Sequence, residues 1–313
     1  MHNPPQIGTA GWAYPHWNGV VYPKSRQPGQ HALEFMATQF DAVEINSSFY
    51  QPLKPEVVRL WMKKVERNPR FQFTAKLHQQ FTHARILDAG EIAIFKEGLW
   101  PLLKARKLGA LLIQFPWSFR FTAENRDFFI RLRRAFAEFP LVAEMRHSSW
   151  MAEEAVGTFL DYSVGFCNID QPEYMRAMPP TAFLTSGVGY VRLHGRNPRN
   201  SLGGYERLGA DSLASRDSRD SGDVRMRQHD YLYSEAELEE WAKRIEHVGR
   251  HAESMFVILN NDAAGKSVVN ALQLQAMISG VRGPAPQELR RRYPVELEPF
   301  GPQSAQQCLF SAA

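Results

Sequence analysis

Charged and amide side chains recur in this sequence at two-residue spacing: Glu44 with Asn46, Glu144 with Arg146, Asn168 with Asp170, Arg192 with His194. Lys76, Gln114 and the run Asn260, Asn261, Asp262 are further polar residues at the ends of apolar stretches. Lys76, Arg146 and Arg192 are cationic donors, and an Arg fork matches the geometry of carboxylate or phosphate. His194 suits general acid or base work, because its reference pKa lies near neutrality. It stands in the run RLHGRN, where the glycine marks a strand ending in a tight turn. Glu44, Glu144 and Asp170 are candidate carboxylate bases or metal ligands.

The elements that must position these residues are short apolar runs rich in β-branched and aromatic residues. They span 7–12, 42–46, 71–76, 110–115, 141–146, 163–170, 189–194 and 255–260. Most are separated by segments with helical periodicity, which is the pattern of βα units around a parallel sheet. Eight such strands close into a (β/α)₈ TIM-like barrel, an α/β fold with no exposed edge. In residues 234–249, Leu238, Trp241, Ile245 and Val248 share one helical face, and Ser234 with Glu237 forms a capping box. Phe129, Leu132, Phe136 and Phe139 mark the helix after strand four, and Pro55 suits the first turn of the helix after strand two.

Alternate strand residues face one side, so each polar pair points either into the barrel or into the helix layer. Outward placement would bury charge against apolar helices at a cost of several kcal/mol. All four pairs are therefore expected to point inward and converge at the barrel mouth. Deeper members can plug the barrel as a salt-bridge network, whereas outer members can reach a ligand. Trp12, Tyr14, Trp17, Phe49, Tyr50, Trp117 and Trp150 follow the strands at the same level. They are candidate cleft walls for sugar faces or bases, with ordinary loop packing the alternative for any one of them. Glu144, Asp170 and His194 on strands five to seven form a conceivable ligand set. Arg146 and Arg192 nearby oppose a cation, so no metal residue is assigned and the cofactor is left unknown.

The chain of 313 residues is 44% hydrophobic and 22% charged, enough apolar material for a sizeable core. The barrel is expected over 1–283, with a tail over 284–313 packing on its outside. Residues 196–228 are rich in Arg, Ser, Asp and Gly and read as a long polar, flexible insertion after strand seven, either tolerated or a lid. No apolar run approaches the ~20 residues that span a bilayer, and the opening residues do not read as a secretory leader. Two cysteines, Cys167 and Cys308, make no metal-type spacing and point to a reducing cytoplasm. The net charge of +4 suits anionic ligands but falls short of a nucleic-acid signature. The tight basic run Arg290, Arg291, Arg292 reads as a solvated surface patch. There is no P-loop, dinucleotide fingerprint, H-E-x-x-H or G-x-S-x-G.

The runs IGTAGW, VEINSSFYQ, FQFTAKLHQQFTH, LIQFPWSF, AEMRHSSW, GYVRLHGRN, HDYLYS and LNNDAAGKSVVNAL together resemble the DUF72 (YecE-like) family, in family order from about residue 7 to 279. The resemblance implies a TIM-like barrel and no particular reaction. It places Glu44, Asn46, Tyr50, Lys76, Thr82, His83, Gln114, Glu144, Arg146, Trp150, Arg192, His194, Gly195 and Asn261 in motif positions. Pro116-Trp117 departs from the two prolines frequent there, and the stretch between Asn197 and His229 is longer and more polar than usual.

The resulting expectation is an enzyme acting on a small anionic or polyhydroxylated, sugar- or phosphate-containing substrate. His194 would be acid or base, with Glu144 and Asp170 orienting or ionising partners. Trp12, Asn46, Tyr50, Lys76, Gln114, Arg146, Trp150, Arg192 and Asn261 would bind the substrate. A metal-assisted isomerase or phosphoesterase, and a non-catalytic protein binding a metabolite or, less favoured, nucleic acid, are the alternatives.

Overall fold

A computed structural model describes residues 4–24, 30–197 and 229–302. Most of the polar insertion after strand seven and the end of the tail therefore lie outside the described residues. Eight parallel strands close into a barrel in sequence order. They are β1 (Gln6–Ala10), β2 (Ala42–Ile45), β3 (Gln72–Lys76), β4 (Leu108–Gln114), β5 (Leu141–Glu144), β6 (Gly165–Asp170), β7 (Val188–Leu193) and β8 (Ser254–Leu259). Around them lie α1 (Ala32–Gln39), α2 (Pro55–Lys64), α3 (Gln79–Thr82), α4 (Ala89–Lys104), α5 (Ala123–Ala135), α6 (Glu153–Asp161), α7 (Glu235–Gly249) and α8 (Lys266–Ser279). The strands are almost wholly buried, which is why their sequences read as near-continuous apolar runs.

Local chemistry sets the helices. Pro55 occupies the first turn of α2. Ser234 accepts from the Glu237 amide while the Glu237 carboxylate accepts from the Ser234 amide, so the capping box of α7 forms. Leu238, Trp241, Ile245 and Val248 are its buried face.

Strand register decides which side chains enter the barrel. The pairings Ala10 with Glu44, Glu44 with Thr74, Gln114 with Glu144, Val142 with Gly165, Cys167 with Tyr190 and Tyr190 with Phe256 place one consistent set on the inner face. Gly109 on β4 leaves room for the ring of Phe256 on β8, since a Cβ there would fall 2.0 Å from it. Gly8 is required here, because a Cβ would fall 1.8 Å from the Ala42 carbonyl oxygen. Above this lower layer the inner face turns polar, with Glu44, Lys76, Gln114, Glu144 and Arg192. The strand directions carry on to Asn46, Arg146, His194 and Asn260. Gly195, at φ +89°, then turns the chain away from β7.

The pair Asn168 and Asp170 breaks the expectation of inward placement. Pairing of Val142 with Gly165 turns Gly165, Cys167 and Ile169 inward, so Phe166, Asn168 and Asp170 face outward. The assumption behind the expectation was an apolar helix outside β6. Instead residues 171–187 carry no helix and run through a turn at 175–176 and irregular backbone to β7. Asn168 supplies what such a connection lacks. Its Nδ2 donates to the Phe183 and Tyr190 carbonyls at 2.9 and 3.2 Å, and its Oδ1 accepts from the Phe183 amide and Thr181 hydroxyl at 2.8 and 2.7 Å.

The described tail contains α9 (Gln287–Arg292) and a two-stranded sheet of β9 (Pro284–Ala285) and β10 (Gly301–Pro302). Leu289, Leu297 and Phe300 are buried in the main core, and the Tyr293 hydroxyl donates to the Ala264 carbonyl at 2.9 Å. Arg291 is exposed and pairs with Glu288 within α9. Substituting Asn168→Leu should lower unfolding free energy by about 2–4 kcal/mol, from several buried hydrogen bonds lost together. Urea unfolding monitored by circular dichroism tests this, and a loss under about 0.5 kcal/mol would show that the connection holds without the amide.

Candidate functional site

The upper layer of the barrel is organised by Arg192. Its Nε and Nη2 donate to the two oxygens of Glu44 at 3.1 and 2.7 Å. Nη1 donates to Glu144 Oε2 at 3.0 Å and to Gln114 Oε1 at 3.2 Å. Arg192 thus joins β7 to β2, β4 and β5 across the barrel, and its fork is spent on the protein's own groups. The Tyr190 hydroxyl donates to Glu44 Oε2 at 3.0 Å and lies 2.9 Å from Thr74 Oγ1. Glu144 Oε1 lies 2.6 Å from Arg146 Nε, and Arg146 Nη1 donates to Gln171 Oε1 at 3.0 Å. Burial alone would raise the Glu144 carboxyl, but Arg146 and Arg192 overcome it and hold Glu144 well below the usual carboxylate range.

These are two carboxylates against two guanidiniums, so their charges balance. Lys76 is left over. It is only 8% exposed, and its ammonium lies 4.1 Å from the centroid of the Phe49 ring. Among the described residues no carboxylate or hydrogen-bond acceptor contacts it. Burial pushes its pKa down to about 7, Arg192 and Arg146 push the same way, and Glu44 with Glu144 only partly compensates.

Neutral imidazoles surround this charge. The Asn260 amide meets His194 Nδ1 at 2.8 Å. With Nδ1 accepting, the ring proton sits on Nε2, which lies 3.4 Å from Glu144 Oε1. Burial and Arg146 hold His194 well below its ordinary pKa, so it is neutral. Burial and Lys76 lower His83 to about 4, and burial with Arg192, Arg146 and Lys76 lowers His229 to about 3. Two more donors lie on the loops after β4 and β5. His147 Nδ1 accepts the Ser149 amide, which leaves the proton on Nε2. That nitrogen and Trp117 Nε1, whose rings are 5.2 Å apart, are buried without partners among the described residues.

Of the residues singled out in the sequence, Glu44, Asn46, Lys76, Gln114, Glu144, Arg146, Arg192 and His194 share the inner face. Asn46 Nδ2 donates to the Tyr14 hydroxyl at 3.4 Å, while its Oδ1 has no partner among the described residues. Tyr50 is at the rim, 46% exposed and edge-on to Phe49.

Four others are elsewhere. Asp170 faces outward, accepting from Trp241 Nε1 at 3.1 Å and from Arg196 Nε at 2.9 Å; burial still raises its pKa. Asn261 donates to the Tyr231 carbonyl and to Asn270 Oδ1, tying β8 to α8. Trp150 is fully buried, stacked on Phe119, with its Nε1 donating to the Phe119 carbonyl at 2.7 Å. Trp12 packs edge-on against Trp61 of α2. Trp17 likewise belongs to the core, its Nε1 donating to the Asp262 carbonyl at 2.8 Å. With Asp170 on the far side of β6, Glu144, Asp170 and His194 do not form a ligand set. Among the described residues no group of three or more His, Cys, Asp or Glu is placed to hold a metal.

The sequence reading passed over Asn260 as a site residue in favour of its neighbour Asn261. Parity from Phe256 and Ile258 is the signal that places Asn260 inward. Nothing in the polar stretch before His229 announces that it returns to the mouth. Removing the hub, by Arg192→Met, should destabilise the protein by about 3–5 kcal/mol, because Glu44 and Glu144 are left buried together. Adding Glu44→Gln should recover more than about 1 kcal/mol of this in a double-mutant cycle read by chemical denaturation. Additivity within about 0.5 kcal/mol would contradict the network.

Comparison with known proteins agrees with the architecture. The family described as "Protein of unknown function DUF72" matches residues 6–291. The UPF0759 protein YunF of Bacillus subtilis is 26% identical over 306 residues, covering 90% of this chain and 98% of its own length. The crystal structure of a DUF72 family protein from Thermotoga maritima covers 88% of this chain and 100% of its own, at 27% identity and a TM-score of 0.73. One from Enterococcus faecalis, at 22% identity, covers 88% of this chain and 95% of its own with a TM-score of 0.72, and shares the fold. The eight-stranded barrel with its polar mouth therefore belongs to the DUF72 family.

Proposed function

We propose that the barrel mouth is an enzyme site that takes a small anionic, polar substrate, with Lys76 as its principal cationic contact. The observation that carries this is the charge balance. Arg192 and Arg146 are matched by Glu44 and Glu144, and Lys76 is a buried cation that no acceptor contacts among the described residues. An uncompensated buried cation is costly, and a bound anion relieves that cost. The partnerless N–H groups of Trp117 and His147 on the adjacent β4 and β5 loops are donors of the kind a carboxylate, sulfate or phosphoryl oxygen needs. His194 stays neutral, so in this reading it passes protons by its Nε2–H rather than contributing charge.

The test is sulfate affinity against pH, because sulfate keeps one charge state across neutrality. The anion selects protonated Lys76, whose pKa in the free protein is about 7. Affinity should be flat below that pH and fall up to about tenfold per unit above it, until the raised pKa of the complex is reached. Lys76→Met should weaken binding at pH 6.5 at least tenfold and flatten the profile. Titration calorimetry checks both, and an unchanged affinity in Lys76→Met would overturn the assignment.

A further inference from the structure

Lys76 has the surroundings of a nucleophile as well as those of a charge. An ammonium has no lone pair to offer, whereas a free amine attacks carbonyl carbon. Four features of the mouth favour the free amine. Lys76 lies on the inner face of β3, where burial disfavours its charged form by more than the Phe49 ring face, 4.1 Å from its Nζ, offsets. The guanidiniums of Arg146 and Arg192 on β5 and β7 repel a further positive charge there. The carboxylates on the facing strands, Glu44 and Glu144, are held by those guanidiniums and not by the lysine. The nearby imidazoles His83 and His229 are both neutral at pH 7. A desolvated lysine beside other cations is the arrangement that keeps a reactive amine at neutral pH.

We propose that Lys76 forms an imine with the carbonyl carbon of a small anionic aldehyde or 2-oxo acid bound at the mouth. This rests on the reading of the mouth as an anion site. In the first step the Nζ lone pair forms the C–N bond, and the carbonyl π pair moves to oxygen. That oxygen takes up one proton as the nitrogen releases one. In the second step the hydroxyl, protonated, leaves as water, the nitrogen lone pair closes the C=N bond as an iminium, and release of the N–H proton returns the one taken up and gives the imine. One amine and one carbonyl become one imine and one water, with no oxidant or reductant. His83 and His229, close enough to feel the Lys76 charge, are the groups that pass protons between nitrogen and oxygen. The iminium so formed draws electrons from the adjacent carbon, which suits carbon–carbon bond cleavage, decarboxylation or proton abstraction next to the former carbonyl.

The experiment is reductive trapping on the full chain. The protein is incubated at pH 7.5 with glyoxylate, pyruvate or the uncharged control propanal, each with cyanoborohydride, and analysed by intact mass and peptide mapping. A single adduct on the Lys76 peptide is expected, at least tenfold faster with the anionic carbonyls than with propanal. Its rate should rise with pH through 7 and level off about one to two units higher, where the amine is fully deprotonated. Lys76→Arg should lose the adduct, and mapping of the wild-type chain decides the matter even if that variant folds poorly. Label spread over exposed lysines with Lys76 unmodified would overturn the imine. Sulfate binding measured in parallel separates the two readings. Binding without a Lys76 adduct overturns the imine and leaves the anion site standing, while loss of both overturns both.

Discussion

The guanidinium of Arg192, shared between Glu44 and Glu144, is the interaction on which the polar half of the barrel depends. Two carboxylates enter the closed barrel from β2 and β5, and Arg192 stands between them, bonded to both. Arg192 reaches both because Tyr190, one step lower on β7, fills the space beneath. Gly8 lets β1 lie close against the Ala42 backbone of β2. The small residues low in the barrel and the charged residues high in it are parts of one packing solution. Such networks add little net stability relative to an apolar core. What this one does is fix the positions of the side chains facing the mouth.

Once the network is neutral, the remaining cation becomes informative. Arg192 has the chemistry of an anion clamp, yet its hydrogen bonds go to Glu44, Glu144 and Gln114. Lys76 has no such commitment. Burial that costs stability is tolerated where it supports function, and a lysine shifted to about 7 is tuned to exist in both protonation states at neutral pH. The neutral imidazoles around it follow chiefly from the same burial, to which the neighbouring cations add.

The strands and the inward set on β2, β3, β5 and β7 were legible in the sequence because apolar runs and two-residue polar spacing carry that information directly. The side on which a pair falls was legible only where a helix covers the strand. At β6 the covering helix is absent, and Asn168 faces outward to hold the connection that replaces it. Asp170 is matched by Trp241 and Arg196, which lie 71 and 26 residues away in the chain, so no local pattern shows its partners. Trp150 and Asn261 stand in motif positions for reasons of packing. One stacks under the β4 loop, and the other ties β8 to α8. A motif marks a constrained position without saying whether the constraint is a ligand or a neighbour.

The central claim is that Lys76 is a buried cation without a carboxylate or hydrogen-bond partner among the described residues. It is tested most directly by titrating its ε-methylene in lysine-labelled protein by heteronuclear NMR, with the resonance assigned through Lys76→Arg. The account predicts a midpoint near 7 in the free protein, well separated from the exposed lysines, moving upward when sulfate is added. A Lys76 midpoint above 10, unmoved by sulfate, would contradict it.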